Sequence, residues 1–149
     1  MGGDEPPGRQ RRQEAERAGE AIDAVASAIV EAAVEVHRLL GPGFFEGVYE
    51  QALDLELRLR GVPFVRQPPI AVLYKNHEVG ELRPDLLVAG CLVVELKTVD
   101  QLVPVHLAQA LSYLTATQLH LALVINFNVP VLLRGVRRVV RCAPPLSSL

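Results

Sequence analysis

Tryptophan is absent from this 149-residue chain, methionine occurs once, and cysteine occurs only twice. Cys91 and Cys142 lack metal-ligand spacing, and two cysteines are too few for a disulfide framework, so neither a zinc site nor a disulfide-stapled scaffold is indicated. No apolar run approaches the ~20 residues that a membrane-spanning helix requires. The opening stretch, MGGDEPPGRQRRQEAER, is polar and lacks the apolar segment of a secretory signal. A reducing cytoplasm, with no membrane partner, is therefore the expected setting. Glycine-rich phosphate loops, HExxH and GxSxG are also missing, which leaves the corresponding hydrolase classes without support. Lysine is scarce as well, with two against thirteen arginines.

One of those two lysines sits inside an apolar stretch, RPDLLVAGCLVVELKTV, with Asp85 and Glu95 before Lys97. Strand alternation puts Glu95 and Lys97 on one face and Leu92, Val94 and Leu96 on the other, toward a core. Two carboxylates and an amine beside a buried sheet suggest a hydrolytic metal site. With half its residues apolar and 21% charged, the chain has the composition of an ordinary globular protein. Its length suits one domain with a single sizeable core. Residues 1–16, rich in Gly, Pro and charge, read as a disordered tail; 17–142 read as the domain and 143–149 as a loose C-terminal tail.

The net charge of −2 conceals an uneven distribution. Residues 1–56 hold twelve acidic and five basic side chains, whereas 57–149 hold five acidic and ten basic. Arg134, Arg137, Arg138 and Arg141 form a basic segment that could bind a polyanion or simply be solvated.

Helical periodicity covers Glu20–Leu40, with a stripe of Val25, Ile29, Ala32, Val36 and Leu39. Gly41-Pro42-Gly43 breaks it. A second helix is expected over Phe45–Arg60, with Val48, Ala52, Leu55 and Leu59 buried and Gly61 ending it. A first β stretch follows, Phe64–Val65 and Ile70–Tyr74 interrupted by Pro68-Pro69, then a second strand Val79–Val88 and a third Leu92–Val99. A helix from Pro104 to about Thr117 precedes strands Leu119–Phe127 and Val131–Val140. The order is α-α-β-β-β-α-β-β, an α/β (α+β) class.

A three-residue loop at 89–91 would place Asp85 opposite Glu95, whereas a two-residue loop would put it opposite Val94, on the wrong face. Pro84 removes a ladder donor, which suits an edge or bulge. Magnesium prefers hard oxygen ligands and keeps several waters, so Asp85 and Glu95 suffice, with the Leu96 carbonyl in support. Lys97 could orient or deprotonate the attacking water, or neutralise developing phosphate charge. The competing reading is a cross-strand acid pair relieved by a surface salt bridge. His106, Gln109 and Tyr113 share one helix face, from which Gln109 and Tyr113 could reach a phosphate or a metal-bound water. Glu46, Tyr49 and Glu50 share a face of the second helix, where Glu46 also suits the helix dipole. His37 reads as a packing or capping residue.

These residues resemble a known family. Val36-His37-Arg38-Leu39-Leu40-Gly41-Pro42-Gly43-Phe44-Phe45-Glu46-Gly47-Val48-Tyr49 resembles the lead-in and signature of the GxxExxY family. Pro84-Asp85 and Glu95-Leu96-Lys97 resemble the core motif of the PD-(D/E)XK nuclease superfamily, to which that family is assigned. Gln109 to Tyr113 resembles the QxxxY element of its RecB-like branch. The resemblance spans about Ala24 to Val140. It implies a restriction-endonuclease-like αβββαβ core, a mixed central sheet flanked by helices, with an extra N-terminal helix. It also implies cleavage of nucleic-acid phosphodiesters, DNA ahead of RNA, dependent on Mg²⁺ or Mn²⁺. Asp85, Glu95 and Glu46 would be metal ligands, Lys97 the catalytic lysine, and Gln109 and Tyr113 its supporting pair. A non-catalytic nucleic-acid-binding or assembly module and a phosphoesterase for small nucleotides are the competing functions. So small a chain would draw on a homodimer mate or protein partner for specificity.

Overall fold

Helix α1 (Pro7–Leu40) starts with proline in its first turn, where the missing N–H has no helical partner to lose. The computed structural model describes residues 6–142, so residues 1–5 and the expected tail at 143–149 lie outside the described residues. The expectation of disorder over 1–16 is corrected for 7–16. That stretch is rich in Arg, Gln and Glu, all good helix formers, and it is helical although every residue in it is exposed. The buried stripe of α1 is Ala26, Ile29, Ala32, Ala33, Val36 and His37, while Leu39 is exposed.

Gly41 and Gly43 both have positive φ, +68° and +111°, which lets the chain reverse direction around Pro42. Helix α2 (Glu46–Leu59) follows. Its buried face is one position later than expected: Tyr49, Leu53 and Leu57 are fully buried, whereas Val48, Leu55 and Leu59 face solvent. Tyr49 decides this rotation. Its ring stacks on Phe127, with centroids 4.5 Å apart. Its hydroxyl donates to the Gly41 carbonyl and accepts the Phe44 N–H at 3.2 Å. His37 closes the same corner through Nε2 and the Val129 carbonyl, 2.8 Å apart, which makes it a packing residue.

Among the described residues, seven strands follow from sequence punctuation: β1 (Phe64–Arg66), β2 (Ile70–Tyr74), β3 (His77–Leu82), β4 (Leu86–Val88), β5 (Leu92–Lys97), β6 (Leu121–Asn126) and β7 (Val136–Val140). The main sheet has the order β1-β4-β5-β6-β7 and is mixed, with β5 and β6 parallel and the other pairs antiparallel. Helix α3 (Pro104–Thr117) makes the crossover between β5 and β6. Strands β2 and β3 form a separate hairpin around Lys75-Asn76, both at positive φ as a type I′ turn requires. The single strand expected over Val79–Val88 is therefore split. Arg83-Pro84-Asp85 carries the chain from hairpin to sheet, because Pro84 cannot donate to a ladder. The expected start of the last strand is also corrected, since Leu132–Gly135 is a 3₁₀ turn ahead of β7.

Two cores sandwich the sheet. Leu92, Val94 and Leu96 pack with α1 and α2, while Val93, Ala122 and Val124 pack with Ala110, Tyr113 and Leu114 of α3. Glu95 and Lys97 therefore belong to the α3 face. Tyr49→Phe keeps the ring packing and removes the hydroxyl that ties Gly41 to Phe44. Urea unfolding is expected to show a loss of about 1–3 kcal/mol, and an unchanged midpoint would mean that the corner is held by packing alone.

Candidate active site

The loop between β4 and β5 settles the register. Leu86 pairs with Val94, Leu87 with Val93 and Val88 with Leu92, which extends to Asp85 opposite Glu95, as a three-residue loop requires. Regular pairing stops at Leu86, after Pro84-Asp85, so the Leu96 amide lacks a ladder partner on that side. The Asp85 side chain takes its place, with Oδ2 accepting the Leu96 N–H at 2.7 Å. In return, the Asp85 N–H donates to Glu95 Oε1 at 2.8 Å. Each carboxylate is thus held by an amide of the opposite strand.

The other side chains approach from both flanking layers. From α3, Gln109 Oε1 accepts from Lys97 Nζ at 3.0 Å, and Gln109 Nε2 donates to the Tyr113 hydroxyl at 3.2 Å. His106 does not join them, because its Nδ1 accepts the Val103 N–H at the start of the helix. From α2, Glu46 lies close enough to Asp85 and Lys97 for their charges to act on its carboxyl. Glu50, one turn later, was not singled out by the motifs, although the i, i+4 spacing from Glu46 puts it on the same face. It is buried and accepts from Arg66 and Gln67, both at 3.2 Å, while the Gln67 N–H donates to the Asp85 carbonyl at 3.0 Å.

Crowded carboxylates in a half-buried site are costly to ionise. Burial, reinforced by the Asp85 charge, pushes Glu95 up to about 8 against the pull of the Asp85 amide and Lys97. Asp85 is also raised, first by burial and then by Glu50, with the Leu96 N–H and Lys97 opposing. Burial and Asp85 likewise raise Glu46. Tyr113 is pushed up to about 12 by burial and by the charges of Glu95 and Asp85, so it keeps its proton.

Clustered hard oxygen donors that resist ionising alone are suited to a divalent cation. Asp85 and Glu95 form the pair that could hold one. Among the described residues, no group of three or more His, Cys, Asp or Glu side chains is gathered closely enough to hold a metal as it stands.

A mixed five-stranded sheet flanked by helices, with this pair on a central hairpin, defines a restriction-endonuclease-like, nuclease-type domain. A family model of the PD-(D/E)XK nuclease superfamily matches residues 23–139, and the chain belongs to that superfamily. Comparison with curated proteins gives no match, and neither does comparison with solved structures. No helix among the described residues is long and apolar enough to cross a membrane.

The raised carboxyl of Glu95 has a consequence for stability. Its folded form holds a proton that the unfolded chain gives up near the ordinary value of 4.5, so stability falls as pH rises from there to about 8, then levels off. Glu95→Gln keeps the acceptor for the Asp85 amide and removes the charge. Thermal unfolding of the metal-free variant should match wild type near the acid end of that window and exceed it by several degrees above the window. A gap that fails to open with pH would place the Glu95 carboxyl in a less burdened state.

Proposed function

We propose that this protein is a divalent-metal-dependent nuclease that hydrolyses phosphodiester bonds of nucleic acid. The observation that carries this reading is the reciprocal amide clamp on Asp85 and Glu95, next to a Lys97–Gln109–Tyr113 chain on the same sheet face. A surface salt bridge would need neither the burial of Glu95 nor the ordering of Lys97 by Gln109 of the crossover helix α3.

Asp85 and Glu95 are the residues to hold Mg²⁺ or Mn²⁺. The Leu96 carbonyl leaves the strand on the same side as its N–H, toward Asp85, and is a third oxygen within the donor set. Glu46 suits an outer role, accepting a hydrogen bond from water, better than direct ligation. A bound divalent ion supplies Lewis-acid stabilisation of the phosphoryl charge and a water of lowered pKa. Lys97 then orients the attacking water or neutralises charge that develops on the phosphate. Gln109 fixes the position of the Lys97 Nζ, and Tyr113, which keeps its proton, fixes the Gln109 amide. Glu95 must release its proton before a cation can bind, so loading is coupled to pH.

Lys97→Ala and Asp85→Asn should each lower metal-dependent cleavage of DNA or RNA by about 10²–10³-fold, with a circular-dichroism spectrum like that of wild type. Undiminished cleavage in either purified variant would remove the residue from the reaction. Calorimetric titration with Mn²⁺ should show affinity rising with pH toward the Glu95 value of about 8, with net proton release. Glu95→Gln should abolish that proton release, and a pH-independent affinity in wild type would count against Glu95 as a ligand.

A further inference from the structure

The basic C-terminal segment divides according to the sheet register. Arg138 pairs with Leu123, which belongs to the α1 and α2 core, and its Nη2 donates to Asp23 of α1 at 2.8 Å. Arg141 is occupied by the Leu119 and Gln118 carbonyls. Arg137 pairs instead with Val124, and Val124 pairs with Glu95. Residues opposite one another share a face, so Arg137 lies in the same row as the acid pair. Two strand spacings separate Arg137 from Glu95, about 10 Å along the sheet.

Arg134 stands beside it in the 3₁₀ turn. Its guanidinium has no hydrogen bond or ion pair among the described residues. Arg137 uses only Nη1, donating to the Arg134 and Val136 carbonyls at 2.9 and 3.0 Å. The turn that carries Arg134 and leads into β7 is pinned at Gly135, where a Cβ would come within 2.2 Å of the Asn126 carbonyl oxygen. Both arginines line a groove of about 130 Å³ with Asp100, Gln101 and Asn126. Asn126 is paired with Lys97 across β5 and β6, so the groove opens at the same end of the sheet as the site. The Asn126 amide is already engaged with the Val99 backbone and forms a fixed floor. Asp100 makes no ion pair among the described residues, so two guanidiniums against one carboxylate leave the groove net positive.

We propose that this groove binds a backbone phosphate of the nucleic-acid strand, flanking the one attacked at Asp85 and Glu95. The inference rests on the nuclease reading and adds a path: the strand crosses the sheet from the β4–β5 hairpin toward β7. Arginine suits the task, since its planar fork takes phosphate oxygens in pairs. The contact fixes position along the strand and carries no base information.

The test is fluorescence anisotropy of a short fluorescein-labelled DNA oligonucleotide, single-stranded and duplex, across a salt series. It is made on the full chain carrying Asp85→Asn, without divalent metal, so that nothing is cut. Arg134→Gln and Arg137→Gln should each reduce the slope of log K against log salt by about 0.7–0.9, the value for one lost phosphate contact. Arg138→Gln, on the opposite face, should leave it unchanged. Arg134→Gln disturbs no hydrogen bond among the described residues, so it tests the groove even where Arg137→Gln loosens the turn. An unaltered slope in Arg134→Gln, or an equal fall in Arg138→Gln, would overturn the groove. Cleavage by wild type in Mg²⁺ is measured alongside. A wild type that cuts, with slopes unmoved by Arg134→Gln, refutes the groove alone. A wild type that binds with the expected slopes but never cuts refutes the nuclease reading and leaves the groove standing. A wild type that neither binds nor cuts refutes both.

Discussion

Two backbone amides hold the centre of this molecule. The Asp85 N–H reaches across to Glu95 and the Leu96 N–H reaches back to Asp85, at 2.8 and 2.7 Å. Both carboxyls nonetheless remain harder to ionise than free ones, because burial, with the charge of Glu50 acting on Asp85 and that of Asp85 acting on Glu95, outweighs the amides. The clamp therefore fixes position without discharging the electrostatic burden. It exists because proline interrupts the ladder. Pro84 has no N–H to donate to the strand opposite, regular pairing ends at Leu86, and the Leu96 N–H is taken by the Asp85 carboxylate.

The rest of the fold holds that clamp in register. A slip of one residue between β4 and β5 would turn Leu92, Val94 and Leu96 toward α3 and Glu95 into the apolar layer under α1 and α2. Both cores resist it, since each is packed against alternate residues of β5. The corner built by His37, Tyr49 and Phe127 does for α2 what the cores do for the strands. It sets the rotation of α2, and through it the approach of Glu46 and Glu50 to Asp85. A motif that reads as a signature is thus partly architectural: its tyrosine shapes the corner, and its glutamate lies within reach of the charges of Asp85 and Lys97.

The geometry of the acid pair was legible because strand periodicity and loop length are short-range and discrete. An odd loop and an alternating strand leave one arrangement of Asp85, Glu95 and Lys97. The α3 face was legible too, since i, i+4 spacing alone brings Gln109 and Tyr113 together. Other features depend on contacts distant in sequence. The rotation of α2 is set by the stacking of Tyr49 on Phe127, seventy-eight positions away, and an apolar count along the helix cannot see it. Splitting of the Val79–Val88 segment follows from where Pro84 lies relative to two different sheets. The helical stretch from Pro7 was hidden by its composition, because charge and proline suggest disorder while most individual residues favour helix. Glu50 escaped because its role comes from Arg66 and Gln67, on a strand and the turn after it.

The unequal use of lysine and arginine now has a physical reading. An acidic pocket repels a polyanion, so a nucleic-acid strand can approach only where fixed cations flank it or a divalent ion sits within it. In the proposed groove arginine suits the flank, where a broad fork can meet phosphate oxygens from several directions. Inside the site the cation is a lysine, a compact charge on a flexible stem, held by Gln109. With Lys75 in an exposed hairpin turn, Lys97 is the only lysine on the α3 face of the sheet. The same contrast explains why its partner is Gln109 rather than a carboxylate. An amide oxygen orders the ammonium at 3.0 Å without neutralising it, which is what the proposed reaction requires of Lys97.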